Sequence, residues 1–204
     1  MAIKAMTFDG KSVKRITVDG GLWFEKPAPY TMLDSVYFDG SGMFELPFNI
    51  TGNDTIRAKF KMLSSSGNLF GYFESSSSDR NFCLYGSSSA YIRYDGTLTR
   101  NWNIRSSTEY HEIVFGPTGL NDNDTSKATW SSKTFTGEHP CVGGLPNSTS
   151  AKAQWICEYL DVVDKCQLRP AKRNSDDVCG LLDVQNDVFY TGSFIHESAP
   201  VSME

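Results

Sequence analysis

The stretch Trp155-Ile156-Cys157-Glu158-Tyr159-Leu160-Asp161-Val162, followed by Val163-Asp164-Lys165 and then Leu168-Arg169-Pro170-Ala171, decides the fold class of this chain. A mostly apolar run is broken by a short Asp/Lys cluster, and a second run starts at once. After a polar break the pattern returns as Gly180-Leu181-Leu182-Asp183, and again as Asp187-Val188-Phe189-Tyr190. Runs of this length, rich in β-branched and aromatic side chains and bounded by Asp, Asn and Lys, are strands joined by tight turns.

The same grammar extends upstream. Ile56-Arg57-Ala58-Lys59-Phe60-Lys61-Met62 alternates cleanly, so Ile56, Ala58, Phe60 and Met62 are expected on a buried face. Val36-Tyr37-Phe38-Asp39-Gly40 followed by Met43-Phe44-Glu45-Leu46 reads as strand, turn, strand. Leu69–Phe73, Phe82–Tyr85 and Tyr91–Tyr94 continue the series, separated by short serine runs that read as exposed hairpin loops. In Tyr110-His111-Glu112-Ile113-Val114-Phe115, the residues His111, Ile113 and Phe115 share a face. Ala128–Trp130, Thr134–Phe135 and Cys141–Gly144 follow before the tail. No long helical pattern appears, so the class is all-β.

At 204 residues the chain can bury one large sandwich core, and 13% aromatic residues supply bulk for it. The net charge of −5 argues against a nucleic-acid surface, which needs concentrated Lys and Arg. No apolar run approaches the ~20 residues that cross a bilayer. The basic N-terminus (Lys4, Lys11, Lys14, Arg15) lacks an apolar core after it and does not read as a signal peptide. The five cysteines are odd in number and contain no Cys-x-x-Cys pair, so buried thiols are expected rather than a disulfide framework. In the absence of export, the sequons beginning at Asn49, Asn53, Asn123 and Asn147 carry no weight.

Residues 1–26 stand apart. Thr7-Phe8-Asp9-Gly10 is echoed by Thr17-Val18-Asp19-Gly20, and each Asp-Gly suits a two-residue hairpin turn. A small β-meander of strands Ile3–Phe8, Val13–Val18 and Leu22–Glu25 is expected, too small to be stable alone. Trp23 and Phe24 are its candidate assembly contacts. Pro27-Ala28-Pro29 makes a stiff linker at 27–29, and the sandwich occupies 30–204.

Taken in order, these motifs resemble the laminin-G-like, concanavalin A-like sandwich domains of bacteriophage and prophage virion proteins. The resemblance rests on the Leu168-Arg169-Pro170-Ala171 stretch, the Gly180-Leu181-Leu182-Asp183 and Phe189-Tyr190 ending, the Phe38-Asp39-Gly40 turn and the Tyr110-His111 pair before an apolar run. It covers roughly residues 34–192. Leu182 replaces an aromatic usual in that ending. The leader Asp9-Gly10-Lys11 … Ile16-Thr17-Val18-Asp19-Gly20 … Trp23 resembles short leaders of phage structural proteins. The resemblance implies a jelly-roll β-sandwich, located in the virion, joined to other virion proteins through the N-terminal segment and present in multiple copies or as a homo-oligomer.

Catalysis leaves little trace. There is no Gly-x-Ser-x-Gly elbow, and His111, His139 and His196 lie far apart without helical metal-site spacing. A glycosidase needs two carboxylates facing one cleft. Strand parity would put Glu158 with Leu160 and opposite Asp161, which breaks that requirement. No catalytic residue and no metal site are assigned, and an enzyme is not expected. The loop Asn121-Asp122-Asn123-Asp124 reads either as a solvated turn or as a Ca2+ site through Asp122, Asn123 and Asp124, though it lacks the remaining ligands of an EF-hand.

Sugar rings stack their C–H faces on aromatic side chains while Asn, Asp, Arg and Ser bond the hydroxyls. Trp102, Tyr94, Arg93 and Asn103 offer that mixture and are the candidate contacts to host-surface glycan, with Trp130 second; the same aromatics could instead be cross-strand packing. The expected function is therefore a virion protein whose lectin-like sandwich contacts host carbohydrate. The alternatives are a purely structural decoration, fibre or baseplate subunit and, least favoured, a polysaccharide-active enzyme. No nucleic acid or membrane partner is expected.

Overall fold

Turn chemistry cuts this chain into short strands. A computed structural model describes residues 28–64, 67–72, 82–84, 109–131, 139–145 and 152–198 in full. It describes the backbone alone for 7–8, 11–12, 15–18, 21–25, 85–86, 90–94 and 97–102. The elements are β1 (Thr7–Phe8), β2 (Lys11–Ser12), β3 (Arg15–Val18), β4 (Gly21–Glu25), β5 (Tyr30–Met32), β6 (Val36–Phe38), β7 (Phe44–Glu45) and β8 (Ile56–Met62). They continue as β9 (Gly67–Tyr72), β10 (Phe82–Gly86), β11 (Ala90–Tyr94), β12 (Thr97–Trp102), β13 (His111–Gly116), β14 (Gly119–Asp122) and β15 (Thr125–Thr129). The last are β16 (Cys141–Val142), β17 (Trp155–Val162), β18 (Cys166–Arg173), β19 (Val178–Asp183), β20 (Val188–Thr191) and β21 (Ile195–Glu197). No helix occurs among the described residues, and none there is long and apolar enough to cross a membrane.

An eleven-stranded antiparallel sheet runs β15-β14-β13-β8-β17-β18-β19-β20, with β6 and β21 beside the start of β17 and β5 beside the end of β18. A six-stranded sheet runs β12-β11-β10-β9-β16-β7. Between them lies the core, in which Ile56, Ala58, Phe60 and Met62 of β8 are all buried, as their alternation requires. Ile113 and Phe115 join them from β13, Leu160 and Val162 from β17, and Phe70 and Leu84 from the smaller sheet. Trp155 stacks on Phe38 at 4.6 Å between centroids and meets Phe60 edge-on. The inter-sheet void is only about 10 Å³ and its lining is apolar, so this part of the interior holds no ligand. Two facing antiparallel sheets with alternating inward side chains make this an all-β sandwich, the class expected from the sequence.

The tail folds as its grammar requires. Loops 163–165, 174–177 and 184–187 join β17 to β20 in succession, and Asp164, Asp177 and Asp187 sit in them at φ of 64°, 57° and 56°. Pro170, without an N–H, falls where the neighbour of β18 changes from β17 (up to Leu168) to β5 (from Ala171), so no ladder bond is lost to it; its carbonyl accepts the Leu33 N–H at 3.0 Å. Strand β21 lies antiparallel to β6, pairing Val36 with Glu197, and the Ser35 hydroxyl donates to that of Ser198 at 2.9 Å.

Two expectations change. Strands β1 with β2 and β3 with β4 form two separate ribbons, each bridging a two-residue Asp-Gly loop, where a single three-stranded meander was expected. The proposed strand start at Ile3 lies outside the described residues. More consequential is the register of β17 against β8: Cys157 faces Phe60 but Tyr159 faces Lys59, so Glu158 is the extra residue of a β-bulge. The bulge cancels the parity rule used above. Glu158, Tyr159 and Asp161 all lie on the outward side, while Cys157 and Leu160 stay buried.

Candidate functional site

Two rows of side chains cross the outer face of the large sheet because antiparallel register sets them opposite one another. One row is Asn121, Val114, Arg57 and Asp161; the next is Asn123, Glu112, Lys59 and Tyr159. Four strands at about 4.8 Å spacing make each row about 14 Å long. Their inward neighbours Leu120, Ile113, Ala58 and Leu160 are core, so the platform beneath is rigid.

Most charges on this face are paired. Lys59 Nζ meets Glu158 Oε2 at 2.6 Å, and this bond holds the ammonium above its usual pKa. Arg169 makes a two-pronged contact with the Asp161 carboxylate, which likewise raises the guanidinium, and its guanidinium lies 5.3 Å from the Tyr159 ring centre. The Tyr159 hydroxyl donates to Glu112 Oε1 at 2.9 Å. Burial first, and the Glu112 bond second, push the phenol well above its ordinary pKa.

Between the rows lies a groove of about 280 Å³, lined by Arg57, Glu112, Val114, Asn121, Asn123, Asp124 and Tyr159. Arg57 is exposed and makes no hydrogen bond or ion pair among the described residues. The arrangement offers an aromatic wall, an apolar floor at Val114, a donor fork and several oxygen acceptors. It can hold a small polyhydroxylated ligand.

The acidic loop is a tight hairpin turn, with Asn123 and Asp124 at φ of 47° and 60° as a two-residue primed turn demands. Its oxygens have different partners. Asp122 is buried and its Oδ2 lies 2.8 Å from His111 Nδ1; Asn123 Oδ1 accepts the Glu112 N–H at 3.0 Å, and its Nδ2 donates to the Tyr110 carbonyl. Those contacts pull Asp122 and Asn123 away from a shared cation, and no group of three metal-ligating side chains occurs among the described residues. The other histidines also meet carboxylates from distant segments, His139 with Glu45 and His196 with Asp39. Cys141, Cys157, Cys166 and Cys179 are free thiols, the first three buried; burial raises Cys141 to about 11 and Cys166 to about 12.

Of the sequence candidates, Arg93 and Tyr94 lie at the end of β11 and Trp102 at the end of β12; only their backbone is described, and Asn103 lies outside the described residues. Tyr94 pairs with Thr97 beside the turn, whereas Trp102 pairs with Ala90 at the far end of the hairpin. Five residues of strand separate these ends, about 16 Å. Trp23 and Phe24 are in β4, again backbone only. Trp130 packs against the core, its ring edge-on to Phe115 and its Nε1 donating to the Gly116 carbonyl. Sequence reading missed Arg57, Glu112 and Tyr159 and met Asn121 only as part of the acidic loop, because their assembly depends on strand pairing between distant segments. Outward parity on β8 and β13 was the one signal available for two of them.

No family model matches the sequence, and no curated protein matches it. Among solved structures, the chain is similar to the LG4-5 domains of the mouse laminin alpha1 chain, at 15% identity and a TM-score of 0.49 over 83% of this chain and 47% of that one. The chain thus spans about half the length of that structure.

Proposed function

We propose that this is a bacteriophage virion protein whose sandwich contacts host-surface carbohydrate, with the N-terminal ribbons as the attachment to other virion proteins. The virion assignment is supported by the motif order of the tail and by the Asp-Gly leader. The binding role is carried by one observation: the outer-face groove joins the Tyr159 ring and Val114 to an unengaged Arg57 and to the oxygens of Glu112, Asn121 and Asp124. Contacts of this kind are weak singly and become strong through many copies on one particle. Binding rather than hydrolysis is the reading, because hydrolysis needs a pair of carboxyl groups and, among the described residues of this face, Asp124 alone is unengaged: Glu158 is held by Lys59, Asp161 by Arg169 and Glu112 by Tyr159.

The test is binding of the full chain, multimerised on beads, to envelope polysaccharides from a panel of bacteria. Saturable binding lost in Tyr159→Ala supports the groove. Binding lost in Trp102→Ala but kept in Tyr159→Ala moves the contact to the β11–β12 hairpin. No binding to any polysaccharide by the folded multimer rejects the glycan reading in favour of a subunit defined by its protein neighbours.

A further inference from the structure

Resting on that glycan-binding reading, we infer that the groove takes a neutral pyranose with two adjacent hydroxyls and discriminates against acidic sugars. Its polar groups divide into positioning and available ones. Asn123 is a positioning residue: its amide holds the Glu112 N–H and the Tyr110 carbonyl and thereby fixes the β13–β14 wall. Glu112 commits Oε1 to the Tyr159 phenol, leaving Oε2. Arg57, Asn121 and Asp124 are exposed and turned to the same groove.

The charge balance decides the class of ligand. One cation, Arg57, stands against two carboxylates, Glu112 and Asp124, for a formal charge of −1 within the lining. Lys59 and Arg169 lie beside the groove but each is matched by its own carboxylate, Glu158 and Asp161. An acidic sugar bonded to Arg57 would place its charge beside Glu112, and repulsion in a partly enclosed site opposes it. A neutral vicinal diol meets no such conflict. One hydroxyl accepts from the Arg57 fork, and its neighbour donates to Glu112 Oε2. Val114 at the floor (39% exposed) and the Tyr159 ring at the wall present apolar surface to the C–H face. The volume, about 280 Å³, lies near the small end of the range for ligand pockets and suits one or two rings.

The experiment measures binding of the full chain to immobilised neutral polymers (mannan, dextran, arabinogalactan) and to polyuronates (alginate, polygalacturonate), at low and at physiological salt. Val114→Trp, which fills the floor, and Arg57→Ala are run in parallel, with melting temperatures as the folding control. The expected result is saturable binding to a neutral polymer, roughly tenfold or more tighter than to either polyuronate. Val114→Trp should abolish it, and Arg57→Ala should weaken it by roughly tenfold, with both variants melting like the parent. Equal or tighter binding to polyuronates overturns the sugar class while the glycan-binding reading stands. Neutral binding indifferent to Val114→Trp overturns the groove as its seat. Binding to neither class overturns both.

Discussion

The hydroxyl of Tyr159 on β17 reaches across β8 and donates to Glu112 Oε1 on β13 at 2.9 Å. A phenol is thereby fixed over a strand to which it is not covalently joined, with Arg169 against its ring. Only the protonated phenol can donate, and burial first, then this bond, raises its pKa.

Tyr159→Phe should lower stability at neutral pH by about 1 kcal/mol, the worth of one hydrogen bond to a partly solvated acceptor. The sign of its pH dependence follows from the raised value. In the unfolded chain Tyr159 ionises near 10, while in the fold it stays protonated. Its stabilisation is complete below about pH 10 and is lost as pH rises toward the folded value. Denaturant unfolding of parent and variant across pH 7 to 11 should show the gap closing at the alkaline end. A gap constant across that range would refute the assignment.

Asp183 is the buried carboxylate at the β19–β20 turn. Its Oδ1 accepts the backbone N–H groups of Gln167, Gln185 and Asn186, and its Oδ2 accepts from the Asn186 side chain at 2.7 Å. Asp183→Ala orphans three N–H groups in a site that is 1% exposed. The cost should be about 3 kcal/mol. For a chain of this size that is roughly a 6–12 °C fall in Tm, and Asp183→Asn should lose less because it keeps one oxygen.

Asp187 occupies the left-handed region at φ 56°, where glycine is at ease and a β-branched residue is not. Asp187→Gly should raise stability by about 0.5 kcal/mol, and Asp187→Val should lower it by about 1–2 kcal/mol. Chemical denaturation resolves both. The same sign from the two variants would show that the backbone there relaxes.

Asp39 ties the turn after β6 to β21: His196 Nε2 lies 3.0 Å from Oδ2 and the Ser41 N–H 2.7 Å from Oδ1. The His196 bond first, then the Ser41 bonds, lower its pKa. A lowered carboxyl contributes stability above about pH 4 that is lost as pH falls through the folded value. Asp39→Asn should therefore be less stable than the parent near neutrality, by no more than about 1 kcal/mol for so exposed a pair. The two should converge only as pH falls below the ordinary carboxyl range, and convergence already at pH 5 would contradict the lowered pKa.

Local rules explain what was legible in advance. Strand β8 announced its buried face through period two, and the tail announced its hairpins through Asp, Asn and Lys at loop positions. His111 was rightly grouped with Ile113 and Phe115, since all three are buried. The bulge at Glu158 was not legible: one inserted residue leaves the composition of β17 unchanged and appears only in its pairing with β8. For the same reason the groove stayed hidden. Arg57 meets Val114 and Asp161 through register, and no local pattern encodes which strands become neighbours. Tyr94 and Trp102, near each other in sequence, fall at opposite ends of the β11–β12 hairpin, a separation that no local pattern encodes.

The bond between Ser35 and Ser198 has a topological consequence. Strand β6 and the last strand, β21, lie side by side, while β5 before them is already paired with β18. A circular permutant with new termini at the 163–165 turn must therefore keep β5, its linker running from Ser198 to a point before Tyr30. A circularly permuted chain made that way should retain the groove, because none of its lining residues lies in either segment being re-routed.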